Sequence, residues 1–199
     1  LNFSRLTFLK RRTHLKMYKL SIDIETYSSV DIRSSGLYKY AQSPDFEILL
    51  FAYSLNDGPV QIVDLAQGEK IPYFIVSIMQ HQSTILKAYN AAFEWYCLKI
   101  AGYETTINQW RCTMLHGLYC GYTAGLGPTG AALGLDQDKR KLSTGTNLIR
   151  YFCVPCKPTK TNGGRLRNLP THDEDKWKLF KEYCIQDVIT EMEIEKKLS

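Results

Sequence analysis

The sequence predicts an α/β fold with a central mixed β-sheet flanked by helices. Three observations point there. Three hairpin-like strand patterns come first, near residues 18–25, 46–55 and 59–65. Helical and strand patterns then alternate, with helices near 71–80, 92–101, 111–120 and 144–151 and a strand near 83–89. A long amphipathic helix over 172–197 closes the chain. Antiparallel strands followed by alternating elements require a mixed sheet with helices packed on it.

In the first strand, Leu20, Ile22 and Ile24 alternate with Ser21, Asp23 and Glu25. This is the period of a half-buried strand, so Asp23 and Glu25 project together, away from the aliphatic face. Two like charges side by side repel unless a cation sits between them. Taken alone, the segment also reads as a solvated strand face with two surface acids. The strand near 83–89 turns into a helix at Asn90, a good N-cap residue, which puts Glu94 in the first turn. Phe93 and Trp95 beside it read either as core or as a surface on which bases stack.

The last helix opens on Thr171-His172-Asp173-Glu174, a capping-box pattern. Trp177, Phe180, Cys184, Val188 and Met192 then recur at intervals of three and four, an apolar stripe for the core. Tyr183 and Asp187 are four apart and share one face at the edge of that stripe. Asp173, Glu174, Asp175, Glu191, Glu193 and Glu195 read as the wet side. Two breaks are expected, at Gly125-Leu126-Gly127-Pro128 and from Pro155 to Pro170.

The second break holds Lys157, Lys160, Arg165 and Arg167 around Asn162-Gly163-Gly164. Either it is a solvated loop, or it tracks the phosphates of a single strand.

At 199 residues, with 44% hydrophobic content, the chain suits one globular domain. No apolar run approaches the roughly 18 residues of a membrane span. The net charge of +5 is carried by residues 1–16, which hold Arg5, Lys10, Arg11, Arg12 and Lys16 and no acid. Beyond them, 20 Lys and Arg balance 20 Asp and Glu. Residues 1–16 therefore read as a basic leader that is not native to the domain, with Met17 as the start of a domain over 17–199. A DNA-touching basic arm is the alternative. The six cysteines include one Cys153-Val154-Pro155-Cys156 with no second pair for zinc, and read as reduced thiols. His14, His81, His116 and His172 are scattered without ligand spacing and read as structural or surface residues.

Asp23-Ile24-Glu25, Asn90-Ala91-Ala92-Phe93-Glu94 and Tyr183-Cys184-Ile185-Gln186-Asp187 together resemble the Exo I, Exo II and Exo III motifs of the DnaQ-like 3′–5′ exonucleases, in the tyrosine-bearing DEDDy branch. Five further stretches resemble the same proofreading domain in family A (Pol I-like) DNA polymerases of phages and prophages. They are Phe46–Tyr53, Trp110–Met114, Ala132–Leu135, Leu148–Phe152 and Pro155–Lys160. The likeness runs from about residue 17 to the end and implies an RNase H-like (DnaQ-like) exonuclease fold. The histidine branch has His five residues before the last Asp; here that position is Glu182.

The resemblance implies a catalytic set of Asp23, Glu25, Glu94, Tyr183 and Asp187 holding two Mg²⁺ (or Mn²⁺). Asp23 would bridge both ions, Glu25 and Asp187 would complete the ion that activates water, and Glu94 would hold the second. Tyr183 would position or help deprotonate the water. Thr26, Asn90 and Phe93 would sit at the terminal nucleotide. The archetype has Asp where this chain has Glu94, which keeps the charge on a longer arm.

The implied partner is a single-stranded DNA 3′ end in the bacterial cytosol, and the chain reads either as the exonuclease end of a polymerase, whose polymerase domain would deliver that strand, or as a stand-alone remnant. Two rival readings are an RNase D-like exoribonuclease and an inactive exonuclease fold kept as a strand-binding module.

Overall fold

The computed structural model describes residues 17–137 and 144–199. The expected basic leader, residues 1–16, lies outside the described residues, as does His14. The sheet has five strands in the order β3-β2-β1-β4-β5: β1 Lys19–Tyr27, β2 Glu47–Leu55, β3 Gln61–Asp64, β4 Ile85–Ala88 and β5 Trp110–Cys112. Strands β1, β2 and β3 pair antiparallel, while β4 and β5 run parallel to β1. The sheet is therefore mixed, with β1 at its centre.

Helices cover both faces. On one side, Leu20, Ile22 and Ile24 of β1 pack with α1 (Ile32–Ala41), α2 (Tyr73–Gln80) and α3 (Ala91–Ile100) through Tyr40, Ile75, Met79, Cys97 and Leu98. On the other, Leu50 and Ala52 of β2 pack with α6 (Gly145–Phe152) and α7 (Glu174–Leu198). The apolar stripe expected on the last helix is buried as a unit: Trp177, Phe180, Cys184, Val188 and Met192 all lie in this second layer. Each fully buried aliphatic or aromatic side chain there contributes roughly 1.5–3 kcal/mol.

Polar contacts fix α7 at both ends. Trp177 Nε1 donates to Asp64 Oδ2 of β3 at 2.7 Å. Near the other end, Thr113 of α4 (Thr113–Tyr119) donates to Glu191, and Lys87 of β4 pairs with Glu195. The middle of α7 is thus held over β1.

Four expectations are corrected. The cap of α7 is Asp173, which accepts from the Lys176 N–H at 3.0 Å. Thr171 instead sits in a 3-10 turn over Pro170–His172, and that turn pushes the helix start past it. The break at Gly125–Pro128 is a helix start: α5 covers Leu126–Ala132, with Gly125 at φ 121 as its N-cap. Pro128 is tolerated in the first turn, where its missing N–H is no loss.

The third correction concerns 110–112, whose short strand β5 occupies the start of the helix expected over 111–120. The fourth is Glu191, expected on the wet side yet only 2% exposed. It stands four residues after Asp187, on the same face. Helix α1 was not anticipated, because Gly36, at φ 79, interrupts its pattern.

Candidate active site

Strand alternation places two acids under α7. Asp23 stands opposite Ala52 and Glu25 opposite Leu50, and both partners belong to the layer beneath α7. The pairing shifts register between Glu25 and Thr26. Thr26 then pairs with Ile48, leaving Leu49 as the extra residue of a bulge on β2. Bulges of this kind bend a strand and re-aim side chains beside active sites. Thr26 is buried on the opposite face, its Oγ1 sharing a 2.7 Å hydrogen bond with the Tyr40 hydroxyl.

The parallel strand β4 delivers the third acid. It ends at Ala88, and Asn90 caps α3 by backbone position, without a side-chain capping bond. Glu94 sits in the first turn, where a carboxylate complements the helix dipole. It is nevertheless only 5% exposed, and its Oε2 has no hydrogen-bond partner. Burial first, and then the charge of Asp23, push its pKa well above the usual carboxylate range, with Glu191 and Asp187 adding to the effect.

Helix α7 supplies the rest. Asp187 is 5% exposed. Tyr183 is buried, its ring stacked on Phe180 with centroids 6.1 Å apart and planes 11° apart. Burial, followed by the charges of Asp187, Glu25 and Asp23, pushes the Tyr183 phenol pKa up, so its hydroxyl stays a proton donor. Gly145 at the start of α6 makes room for this ring: a Cβ placed there would come 2.0 Å from Tyr183 Cε2.

Two hollows meet on these residues. One, of about 550 Å³, is lined by Asp23, Glu25, Thr26, Asn90, Phe93 and Glu94, among others. The second, of about 290 Å³, is lined by Asp23, Asn90, Glu94 and Asp187 with Tyr89 and Met114. Asp23, Asn90 and Glu94 line both.

The four expected carboxylates, Thr26, Asn90 and Phe93 thus line the joined hollows, while Tyr183 is buried beside the carboxylates and lines neither hollow. The basic segment is different. Cys153, Val154 and Pro155, just before it, line the larger hollow. Lys157 and Lys160 are exposed. Arg165 is tied down, its Nε donating to Asn168 Oδ1 at 2.7 Å. Arg167 pairs with Glu47 at 2.6 Å and lies over the Tyr27 ring at 3.8 Å. Asn162 ties this loop together, accepting from the Thr159 and Gly164 N–H groups and donating to the Lys157 carbonyl.

Two neighbours of the site were not anticipated. Cys184, fully buried, donates through Sγ to Asp23 Oδ2 at 3.4 Å. Cys153 donates through Sγ to Glu25 Oε2 at 3.9 Å. Burial is the main reason both thiols sit well above the usual thiol range, with the adjacent carboxylates adding to it. Cys184 lies three residues before Asp187, a spacing that puts both on one helix face. None of the six cysteines is paired. His81, His116 and His172 are exposed and stand apart from the cleft. Among the described residues, no helix is long and apolar enough to cross a membrane.

No family model matches this chain. A DNA polymerase of Bacillus phage SP02 is 50% identical over 184 residues, which is 92% of this chain. The chain spans 28% of that polymerase's length.

Among solved structures, the family B DNA polymerase of Pyrobaculum calidifontis superposes with a TM-score of 0.56 at 16% identity, covering 92% of this chain and 24% of that one. Brucella melitensis NrnC gives 0.54 at 16% identity, covering 92% of this chain and 72% of that one. A nuclease in its apo form gives 0.50 at 16% identity, covering 90% and 70%. By fold this chain shares the mixed-sheet α/β architecture of these nuclease and polymerase structures, and by sequence it is similar to part of a phage DNA polymerase.

Proposed function

We propose that residues 17–199 form a metal-dependent 3′–5′ exonuclease domain that removes mononucleotides from the 3′ end of single-stranded DNA, as the proofreading part of a phage-type family A polymerase. The observation that carries this reading is the meeting of Asp23, Glu25, Glu94 and Asp187, from one strand and two helices, on one cleft beside Tyr183. The polymerase relative favours DNA as the substrate.

The residues present fit divalent metal. An acid buried among acids is costly unless a cation compensates it. Glu94 meets that description, with its unpartnered Oε2 and its upward pKa shift from burial and Asp23. Oxygen donors of this kind suit Mg²⁺ or Mn²⁺. Asp23, Glu25 and Asp187 would hold one ion, and Asp23 with Glu94 a second. Ions held there would supply an activated water and charge stabilisation at the attacking and leaving oxygens of a phosphodiester.

The chain's own groups do the positioning. Tyr183 keeps its proton in the ring of carboxylates, so its hydroxyl orients the attacking water by hydrogen bonding. Phe93, half-buried on the cleft wall, offers a face to the terminal base. Asn90, exposed on the same wall, reaches the terminal sugar or phosphate. Lys157 and Lys160, exposed in the loop that follows the cleft-lining Cys153–Pro155, would favour the strand's phosphates.

The test is a 5′-labelled single-stranded DNA incubated with the protein and Mg²⁺ or Mn²⁺. A ladder shortening from the 3′ end, lost with EDTA and in Asp23→Ala, is the expected result. Shortening of a matched RNA instead would replace DNA with RNA as the substrate. No hydrolysis of either by the folded, metal-loaded protein would overturn the reading.

A further inference from the structure

The larger hollow is also lined by a buried pair of hydroxyls. Thr26 and Tyr40 both border it and are 4% and 6% exposed. Their side-chain oxygens are 2.7 Å apart. Each hydroxyl carries one proton, and the bond between them uses one of the two. The phenol is the more acidic group and the alcohol oxygen the better acceptor, so Tyr40 donates and Thr26 accepts. The Thr26 proton is left over, and among the described residues neither hydroxyl makes a second hydrogen bond. A buried donor in that condition costs free energy until an acceptor reaches it.

The pair links the two ends of the cleft. Thr26 directly follows Glu25, at the bulge in the pairing of β1 with β2. Tyr40 lies in the last turn of α1, with its ring centroid 6.3 Å from that of Phe93 and edge-on to Phe46 at 5.8 Å. The Tyr40 carbonyl accepts from Ser28 Oγ at 3.0 Å, and Ser28 Oγ accepts from the Val30 N–H at 3.2 Å. One end of the pair therefore adjoins a carboxylate proposed to hold metal and phosphate, and the other adjoins the ring offered to the terminal base. In a nucleotide, the group between phosphate and base is the sugar.

We propose that Thr26 recognises the free 3′ oxygen of the terminal deoxyribose, and that Tyr40 is the positioning residue that fixes the Thr26 hydroxyl for this contact. The proposal rests on the exonuclease reading of the same cleft. A DNA terminus has one exocyclic sugar oxygen without phosphorus, O3′, and it accepts the leftover proton. Within a strand the same oxygen is esterified and a poorer acceptor, so the contact favours an end over an interior position. Hydrogen bonds in a chain polarise one another, so removing the phenol weakens the contact it does not itself make.

The experiment uses the full-length chain and two 5′-labelled single strands of one sequence, one ending in a 3′-hydroxyl and one in a 2′,3′-dideoxy sugar. The readout in Mg²⁺ is the ratio of kcat/KM between them. The wild type should favour the 3′-hydroxyl end. Thr26→Val, which keeps the shape, should lower that ratio about tenfold. Tyr40→Phe, which keeps the ring, should lower it by a smaller factor, and Thr26→Ser should retain most of it. A merely structural role would slow both strands alike and leave the ratio where it was.

Fluorescence anisotropy in Ca²⁺ reads the same end preference as affinity. A ratio unchanged in both Thr26→Val and Tyr40→Phe overturns the proposal and leaves the exonuclease reading standing, and Tyr40→Phe decides if Thr26→Val does not fold. No preference in either measurement overturns it as well. No hydrolysis of either strand, with an affinity preference that Thr26→Val erases, would instead refute the exonuclease reading and leave the end-recognition site standing.

Discussion

The acidic cleft and the basic loop beside it each concentrate like charge, and the protein treats them in opposite ways. In the cleft, a central strand and two helices hold Asp23, Glu25, Glu94 and Asp187 together, and burial first, then the charge of Asp23, raises the Glu94 pKa. In the loop, Arg165 is held by a hydrogen bond to Asn168, and Arg167 is paired with Glu47 over the Tyr27 ring. Like charges forced together by rigid elements mark a place built to take a counter-charge. Charges satisfied where they stand hold a loop in shape.

The sharpest way to break this comparison is Asp23→Ala. Hydrolysis should fall on the order of 10³-fold, as when a principal transition-state stabiliser is lost, while the melting temperature at low salt stays level or rises. An unchanged cleavage rate in a variant shown to be folded by circular dichroism would remove the cleft's special status.

Next in size is Tyr183→Phe, expected to slow single-turnover cleavage by about 10²-fold with metal binding by calorimetry unaltered. Gly145→Ala should reproduce part of that loss, about tenfold, because its new methyl must displace the same ring. Full activity in Gly145→Ala would show that the ring position observed here is not the working one.

The third effect is on stability. Burial and Asp23 hold the Glu94 carboxyl above its unfolded value, and burial does the same for Glu191. The folded state therefore binds these protons more tightly than the unfolded chain does. That stability is fully present below the unfolded glutamate pKa, about 4.3, and is lost as pH rises through the folded values. Melting temperatures in EDTA should fall across that range. Saturating Mg²⁺ should flatten the slope, and Glu94→Gln should reduce it. A pH-independent melting temperature in EDTA would contradict the burial of an uncompensated acid.

The smallest effects belong to the loop. Lys157→Glu with Lys160→Glu should weaken single-strand affinity several-fold, with the difference shrinking as salt rises. Arg167→Ala should cost roughly 1 kcal/mol of stability with less effect on strand affinity, read by denaturant melts and fluorescence anisotropy. The reverse pattern would make Arg167 a binding residue and Lys157 a bystander.

The sequence made the site readable wherever a regular element set the spacing. Two-residue alternation on β1 and the four-residue step from Tyr183 to Asp187 were enough to pair the acids, and the apolar stripe of α7 told which side of the helix was inside. What escaped notice depended on tertiary contacts. Glu191 looks like its solvent-facing neighbours until Thr113 of α4 is brought against it. Cys184 looks like one more core residue until β1 places Asp23 beside its sulfur. The kinked α1 and the three-residue β5 are too short or too interrupted for a period to form, and Gly125 reads as a break because a glycine that opens a helix resembles one that ends a run.

The anchoring of α7 has a consequence for how the molecule opens. With Trp177 bonded to β3 near one end and Glu191 and Glu195 bonded to α4 and β4 near the other, its middle turns cannot fray independently of the sheet. Amide protons around Tyr183 to Val188 should exchange with solvent deuterium only when the whole domain unfolds, while those of α1, broken at Gly36, should exchange by local opening. The helix that brings Asp187 to the cleft is thereby tied to the global stability of the fold.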